Sequence, residues 1–413
     1  MVRKLLTGNA AAAWGARLAE VDYVPAFPIT PQTEIIETLG EWFTEGVMKG
    51  KFVILDSEHS MVTAAGAAAA TGVRTFTATS SQGLVYAMEA LYAIAGWRVP
   101  LVLVNVSRGL AAPLTLGPDH NDVLAARDTG FLQIHAETSQ EVLDSVLLGF
   151  RIAEDHRVSL PVLVNLDGFF LSFTREPVEI PSQEEVRKFL PAFDPKHPGF
   201  RASQPVAQGV AVLDGPTYSY FRYQMHHALE NAIDAYKEAA AAFHTIFGRR
   251  YETLDAYRME DADTVLVMIG SFSTKGKEAV NRRREKGERV GLLRLRLTRP
   301  QPAADLIAAL EGRRAVAVVD QNLSPGLGGI LYHEVAALLA NSTARPPVMR
   351  SFIGGLGGKD ISPEEFDHIL EVLKSTEPGR HAVQPELLLT QNEWEQVRRG
   401  LAIAGKATDE LAP

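Results

Sequence analysis

Residues 52–83 read FVILDSEHSMVTAAGAAAATGVRTFTATSSQG, and the rest of the chain falls into place around them. The apolar run from Phe52 to Leu55 predicts a buried strand, Asp56 and Ser57 a helix start, and Met61 to Ala70 a helix of tiny residues that a neighbour can approach closely. Thr75 to Ala78 predicts a second strand, and Thr79-Ser80-Ser81-Gln82-Gly83 a polar turn into another helix. Together they make a strand–helix–strand–helix unit with polar loops at the strand ends, where open α/β sheets place their sites. Glu58 stands at such a strand end. An acid in the first turn of a helix also simply offsets the helix dipole, so Glu58 taken alone leaves both readings open.

The chain has 413 residues, long enough for two or three domains with cores of their own. Its 46% hydrophobic and 22% charged content is that of an ordinary globular protein. With 41 basic against 50 acidic residues there is no cationic excess for nucleic acid or anionic lipid, so a small-molecule or protein partner is expected. Cysteine is absent. The chain therefore holds no disulfide, no thiolate nucleophile and no cysteine-ligated cluster, and any such redox centre belongs to another subunit. No window reaches the roughly 18 apolar residues of a membrane helix, and Gly8 and Asn9 interrupt the basic N-terminal start before an apolar region forms. A cytoplasmic protein with no membrane contact is expected.

Ahead of the central stretch, an Ala-rich helix over 9–20 and a strand over 23–27 lead into Pro28-Ile29-Thr30-Pro31. Thr followed by Pro is a helix-start signal, so Thr30 is expected to cap a helix running to about Glu45; a hydroxyl and free amides at a helix start equally suit a carboxylate. Beyond it, a helix over 82–95 precedes a doubly buried strand from Pro100 that ends in Ser107-Arg108-Gly109. An Arg at a strand end can fork onto a carboxylate, or meet solvent or an ion-pair partner. Asp119-His120-Asn121-Asp122 looks like a metal cluster, but Asp and Asn at a helix start are ordinary caps and no matching carboxylate spacing follows, so no metal is expected on this chain.

Alternation continues through a strand over 130–135, a helix over 139–154 and a strand over 160–165, then lapses between about 181 and 221, which is rich in Pro, Gly, Ser and Tyr. That stretch reads as an excursion packed over a neighbour. A helix over 221–247 carries His226 and His227 as packing or surface residues. A second α/β unit starts at Asp263, with strands over 264–269, 290–297 and 315–319, each followed by a helix. Gly326-Leu-Gly-Gly329 and Gly354-Gly-Leu-Gly-Gly358 lack the full dinucleotide fingerprint and read as tight turns. The polar C-terminal segment has one amphipathic helix and is expected to wrap a partner.

Several of these motifs agree with one family. Phe27-Pro-Ile-Thr-Pro-Gln-Thr33, Asp56-Ser-Glu-His-Ser-Met61, Thr79-Ser-Ser-Gln-Gly83, Ala126-Arg-Asp-Thr-Gly130, Asn165-Leu-Asp-Gly168 and Ser351-Phe-Ile-Gly-Gly-Leu-Gly-Gly358 resemble, in order, the α subunit of pyruvate:ferredoxin oxidoreductase and related 2-oxoacid:acceptor oxidoreductases. The resemblance implies an α/β fold: a pyrimidine-binding thiamin diphosphate domain over 1–235, a helical connection over 236–262, a transketolase C-terminal-like domain over 263–375 and a tail over 376–413. It implies a CoA-acylating oxidative decarboxylation of a 2-oxoacid, with thiamin diphosphate shared with a β subunit that holds the diphosphate and Mg²⁺. The [4Fe-4S] clusters are implied to lie on the β subunit and on ferredoxin-like δ subunits, with a γ subunit as a further partner and an added flavin subunit able to direct electrons to NAD.

By motif position the resemblance makes Glu58 the partner of N1′ of the aminopyrimidine, a role that assists proton removal from the thiazolium. It makes Thr30 and Arg108 holders of the substrate carboxylate, and Pro28, Ile29, Ser81 and Gln82 cofactor contacts. The chain departs from the family at Phe27, where relatives commonly have Tyr, and at Leu114-Thr-Leu-Gly-Pro118, where they have a more polar, His-containing segment. With Leu110, Ala111 and Ala112 near Arg108, these departures suggest a roomier pocket for a branched or aromatic oxoacid such as 2-oxoisovalerate or phenylglyoxylate. A purely structural subunit and a non-oxidative thiamin enzyme are the alternatives.

Overall fold

The strands Val102–Ser107 and Val162–Asp167, VLVNVS and VLVNLD, are buried at every residue, as expected for strands covered on both faces. They run parallel with Val102 opposite Val162 and Ser107 opposite Asp167. The computed structural model, which describes residues 2–195, 203–340, 342–343, 345–379 and 384–405, builds the first of two sheets around this pair. Its order is Leu297–Arg299, Leu132–His135, Val162–Asp167, Val102–Ser107, Phe76–Thr79. A bridge from Thr75 to Tyr23 continues it into Tyr23–Ala26 and its parallel neighbour Lys51–Ile54. The helices Gly8–Leu18 and Ser139–Ala153 pack against each other, each capped by a Thr hydroxyl, Thr7 and Thr138.

The second sheet has the order Glu386–Leu387, Val348–Ile353, Ala315–Asp320, Thr264–Met268, Val290–Leu295, Leu254–Tyr257, all parallel except the last strand. Its apolar residues form a core of their own, with Leu266, Phe352 and Phe366 among those buried.

Several expectations need correction. Lys51–Ile54 is an edge strand and not a buried one; among the described residues it pairs only with Tyr23–Ala26, and Ile54 is 63% exposed. The helix after Thr30 begins at Thr33, with Gln32 at its cap position and no side-chain cap. The helix expected over 82–95 is broken at Ala87 into Gln82–Tyr86 and Met88–Trp97. Finally, the run 290–297 is divided: Val290–Leu295 stays in the second sheet, while Leu297–Arg299 crosses to pair antiparallel with Leu132–His135 in the first.

The cause of that crossing is a buried charge cluster at the seam. Arg294 and Arg296 straddle Leu295, and both guanidiniums bond the Glu141 carboxylate of the first unit, Arg294 at 3.0 Å. Arg294 also meets Glu137 and Asp255 at 3.4 Å, and Lys277 bridges the same two carboxylates at 2.6 and 2.7 Å. Burial alone would push the Glu141 carboxyl up, but the two guanidiniums hold it down, to about 2.

The segment expected as an excursion contains the helix Gln183–Phe189, with a Ser182/Glu185 capping box. The long helix Gly215–Phe247 starts well before 221, capped by Asp214, with Pro at its beginning. The portion over 196–202, like 380–383 and 406–413 of the tail, lies outside the described residues. The described tail adds Glu386–Leu387 to the second sheet and the helix Gln391–Ile403. Among the described residues no helix is long and apolar enough to cross a membrane.

Neither glycine-rich segment cradles a phosphate by itself. After Gly326–Gly329, the N–H groups of Leu331 and Tyr332 at the start of the helix Ile330–Leu339 are taken by the buried Asp320 carboxylate at 2.8 and 3.1 Å. An internal anion thus occupies the position a phosphate would need; burial pushes its carboxyl up to about 7. The segment Gly354–Gly358 receives the loop after Arg108: a Cβ at Gly117 would lie 2.2 Å from the Gly357 carbonyl oxygen, so only glycine admits the contact.

Candidate active site

The polar loops expected at the strand ends do converge. Glu58 opens the helix Glu58–Ala70, whose cap Ser57 accepts a hydrogen bond from the Ser60 N–H. The Glu58 carboxylate reaches back over the turn after Phe76–Thr79. A Cβ on Gly83 would sit 2.6 Å from Glu58 Oε1 and 2.5 Å from Thr79 Oγ1, so the missing side chain is what lets the carboxylate lie there. Glu58 is only 7% exposed, and among the described residues no group hydrogen-bonds its carboxylate. A buried carboxylate without a donor is costly.

Arg108, at the end of Val102–Ser107, is also only 7% exposed. Its guanidinium donates to the Thr30 carbonyl and to Gln82 Oε1, both at 2.7 Å, while its buried Nε has no partner. Among the described residues it has no ion-pair partner. Burial pulls the guanidinium below its ordinary value, and the Asp122 charge only partly opposes this. Among the described residues, Gln82 Nε2, Thr79 Oγ1 and Ser80 Oγ likewise find no partner though buried. The turn over 79–83 therefore presents donors and acceptors beside Glu58 that the chain itself leaves unused.

Ser81 adopts φ 51°, ψ −123°, a conformation rarely tolerated by a residue with a Cβ. Its N–H donates to Asp122 Oδ2 at 3.0 Å. The same oxygen accepts from Asn105 Nδ2 at 3.0 Å and from the Arg108 N–H at 3.3 Å, and Oδ1 accepts from Ser107 Oγ at 2.5 Å. Burial pushes the Asp122 carboxyl up, against the pull of the Ser107 and Asn105 bonds.

The neighbouring residues are occupied in other ways. Asp119 accepts from the N–H groups of Asn121 and Gly357. His120 pairs with Asp167 at 2.7 Å, both completely buried, and Asp167 in turn accepts from the Ser271 N–H and hydroxyl of the second unit. Beside them the buried His135 is held neutral, its pKa lowered to about 3 by burial and by His120.

Of the residues singled out from the sequence, Glu58, Ser81, Gln82 and Arg108 come together, joined through Gly83 and the Gln82–Arg108 bond. Thr30 joins by its carbonyl, while the residue itself is exposed; Pro28 is exposed and Ile29 half-buried on the same loop. Leu114 and Leu116, on the loop after Arg108, are 73% and 50% exposed. Sequence reasoning read Asp122 only as a cap. The available signal was Asn105 and Ser107, two polar residues in an otherwise apolar buried strand, which need a buried partner.

With this geometry in view, comparison with known proteins is direct. Residues 14–241 match the thiamin diphosphate-binding domain of pyruvate flavodoxin/ferredoxin oxidoreductases, and 262–366 match core domain II of pyruvate:ferredoxin oxidoreductase. The chain is 43% identical over 383 residues to the pyruvate synthase subunit PorA of Methanothermobacter thermautotrophicus, covering 93% of this chain and 97% of that one. It is 40% identical to PorA of Pyrococcus furiosus, over 90% of this chain and 93% of that one. To the ketoisovalerate oxidoreductase subunit VorA of Pyrococcus abyssi it is 38% identical, over 96% and 98%. Among solved structures, a 2-oxoglutarate:ferredoxin oxidoreductase from Magnetococcus marinus, with 2-oxoglutarate, coenzyme A and succinyl-CoA bound, shares the fold at TM-score 0.70 and 18% identity; the match covers 90% of this chain and 65% of that one. The chain belongs to the pyruvate:ferredoxin oxidoreductase family, as the thiamin diphosphate-binding, PorA- and VorA-like subunit of a multi-subunit 2-oxoacid oxidoreductase.

Proposed function

We propose that this chain supplies Glu58 to the aminopyrimidine of thiamin diphosphate, and Arg108 with Thr30 to the carboxylate of a 2-oxoacid, in a CoA-acylating, ferredoxin-linked oxidative decarboxylation. The observation that carries this is a buried guanidinium with no ion pair and a buried, donor-less carboxylate, both set against the turn over 79–83 among the described residues. The unpartnered atoms of Thr79, Ser80 and Gln82 beside the Glu58 carboxylate fit a flat heteroaromatic ring carrying both donors and acceptors. When bound, thiamin diphosphate supplies the carbon nucleophile and stores the electron pair left by decarboxylation.

The residues of this chain bind, orient and hold protons. Glu58 would accept a charge-assisted hydrogen bond from an N–H of the pyrimidine ring in a buried site; Gln82 and Ser81 shape the turn; Arg108 would hold the carboxylate that leaves as carbon dioxide. The β subunit is assigned the diphosphate and Mg²⁺. The cysteine-free sequence is consistent with [4Fe-4S] clusters carried by the β subunit and a ferredoxin-like δ subunit, with a γ subunit as a further partner and ferredoxin as acceptor, in the cytoplasm.

Pyruvate is the first substrate expected, since relatives named for it are the more similar. The small apolar residues after Arg108 favour, as a second reading, a branched acid such as 2-oxoisovalerate. The test is viologen reduction by the native complex purified through this chain, with coenzyme A and pyruvate, 2-oxoisovalerate, 2-oxoglutarate or phenylglyoxylate. Reduction with pyruvate or 2-oxoisovalerate supports the assignment and chooses between them. An iron-containing complex inert with all four overturns it, and an iron-free active one would mean a non-oxidative thiamin enzyme.

A further inference from the structure

The two arms that carry the site, the turn over 79–83 and the strand end at 107–109, are separate in sequence, and one carboxylate joins them. Asp122 is fully buried, and its five hydrogen-bond donors are the N–H groups of Ser81, Arg108 and Val123, Asn105 Nδ2 and Ser107 Oγ. Three of the five are main-chain groups, so what Asp122 fixes is backbone position. One of them belongs to Ser81, whose positive φ needs outside support; another belongs to Arg108, whose side chain has no ion-pair partner to hold it. Asn105 is itself anchored on the next strand, donating to Asn165 Oδ1 at 2.9 Å. The anchor is thus tied into the middle of the sheet.

We propose that Asp122 is a positioning residue for the 2-oxoacid reaction: its carboxylate locks the main chain of Ser81 and Arg108 together, keeping the Gln82–Gly83 turn against Glu58 and the Arg108 guanidinium aimed at the substrate carboxylate. This rests on the assignment of Arg108 to that carboxylate. Fully buried beneath the two arms, Asp122 acts through them. Displacement of a binding group by about 1 Å lowers rates by as much as 10²-fold, so an anchor of this kind governs activity at a distance.

The test is a double-mutant cycle in the assembled complex, with Asp122→Asn, Arg108→Ala and both together, reading the KM for the 2-oxoacid, kcat and bound thiamin per complex. Asp122→Asn is expected to raise KM about tenfold and lower kcat a few-fold with thiamin retained. In the Arg108→Ala background the same change should move KM less than about twofold, because the group it aims is gone. Ser107→Ala, which removes one donor and leaves the carboxylate, should raise KM about threefold and provides the test should Asp122→Asn fail to assemble. A wild-type KM in the assembled Asp122→Asn or Ser107→Ala enzyme, or full additivity in the cycle, would leave Asp122 a purely structural residue. If Arg108→Ala itself leaves KM unchanged, the substrate-carboxylate assignment falls first, an outcome distinct from a failure of the positioning role alone.

Discussion

Arg108 and the pair Arg294 and Arg296 are all buried guanidiniums at the ends of sheet strands, and they are handled in opposite ways. At the seam, Arg294 and Arg296 share Glu141 and have Glu137 and Asp255 within reach, and despite burial these carboxylates hold them above their ordinary values. At the site, Arg108 bonds only a carbonyl and an amide oxygen, keeps one nitrogen unpartnered, and is pulled down by burial. A buried charge is tolerable when it is paired. The seam pairs its charges within the chain, whereas among the described residues the site supplies Arg108 with no anion, which is where the proposed function seats the substrate carboxylate. Residue type and burial are the same in both regions, so it is the partner count that separates architecture from chemistry.

The contrast can be broken most forcefully at Glu141. Glu141→Gln leaves two buried guanidiniums without their shared carboxylate, and a loss of about 3–5 kcal/mol in unfolding free energy is expected, with an unchanged oxoacid KM in whatever assembles. Denaturant unfolding of the complex measures it; a loss under about 1 kcal/mol would mean the seam charges are not structural. Arg108→Ala should behave in the reverse sense. It removes about 1.5–3 kcal/mol of charged hydrogen bonding to substrate, a KM rise of about 10- to 100-fold, while the unfolding midpoint holds or rises because an unpaired buried cation is gone. A large drop in stability with an unchanged KM would erase the distinction.

Acid sharpens it further. The Glu141 carboxyl is held at about 2 in the folded chain, below the roughly 4.3 of an unfolded glutamate. Its stabilisation is therefore present above about pH 4 and is lost as pH falls from there towards 2. The acid limb of a stability–pH curve should flatten in Glu141→Gln and stay unaltered in Arg108→Ala. A smaller and local effect is expected from Gly83→Ala. Its methyl would meet Glu58 Oε1 and Thr79 Oγ1 inside van der Waals distance, and the side-chain end can move aside. Turnover should fall about tenfold with stability altered by less than about 1 kcal/mol; normal turnover would mean that the position of Glu58 is not critical.

Much of this was legible in the sequence because the signals are local. The strand, cap and small-residue helix around Glu58, and the polar turn ending in Gly83, are each written in a few consecutive residues, and their place at sheet ends follows from α/β topology. What was hidden depends on residues distant in sequence. The strand break after Leu295 is invisible in the run 290–297, where Arg294 and Arg296 alternate with leucines as in any strand, since the partner of those charges is Glu141, 155 residues away from Arg296. Thr30 has the composition of a cap, yet its carbonyl is drawn to Arg108, 78 residues on, and the helix begins at Thr33. Ile54 reads as core because apolar runs do not announce that they form a sheet edge. Asp122 reads as a cap because its donors lie on two other loops and a strand.

The central claim is that Glu58 is buried and unbonded because it serves the cofactor. The most direct measurement is turnover of the purified complex carrying Glu58→Gln, an isosteric change that removes the charge and the proton-accepting capacity, with subunit composition and bound thiamin determined on the same sample. Assembly and thiamin content near wild type with turnover lowered by at least about 10²-fold is the predicted result. Near-normal turnover in that intact complex would contradict the account.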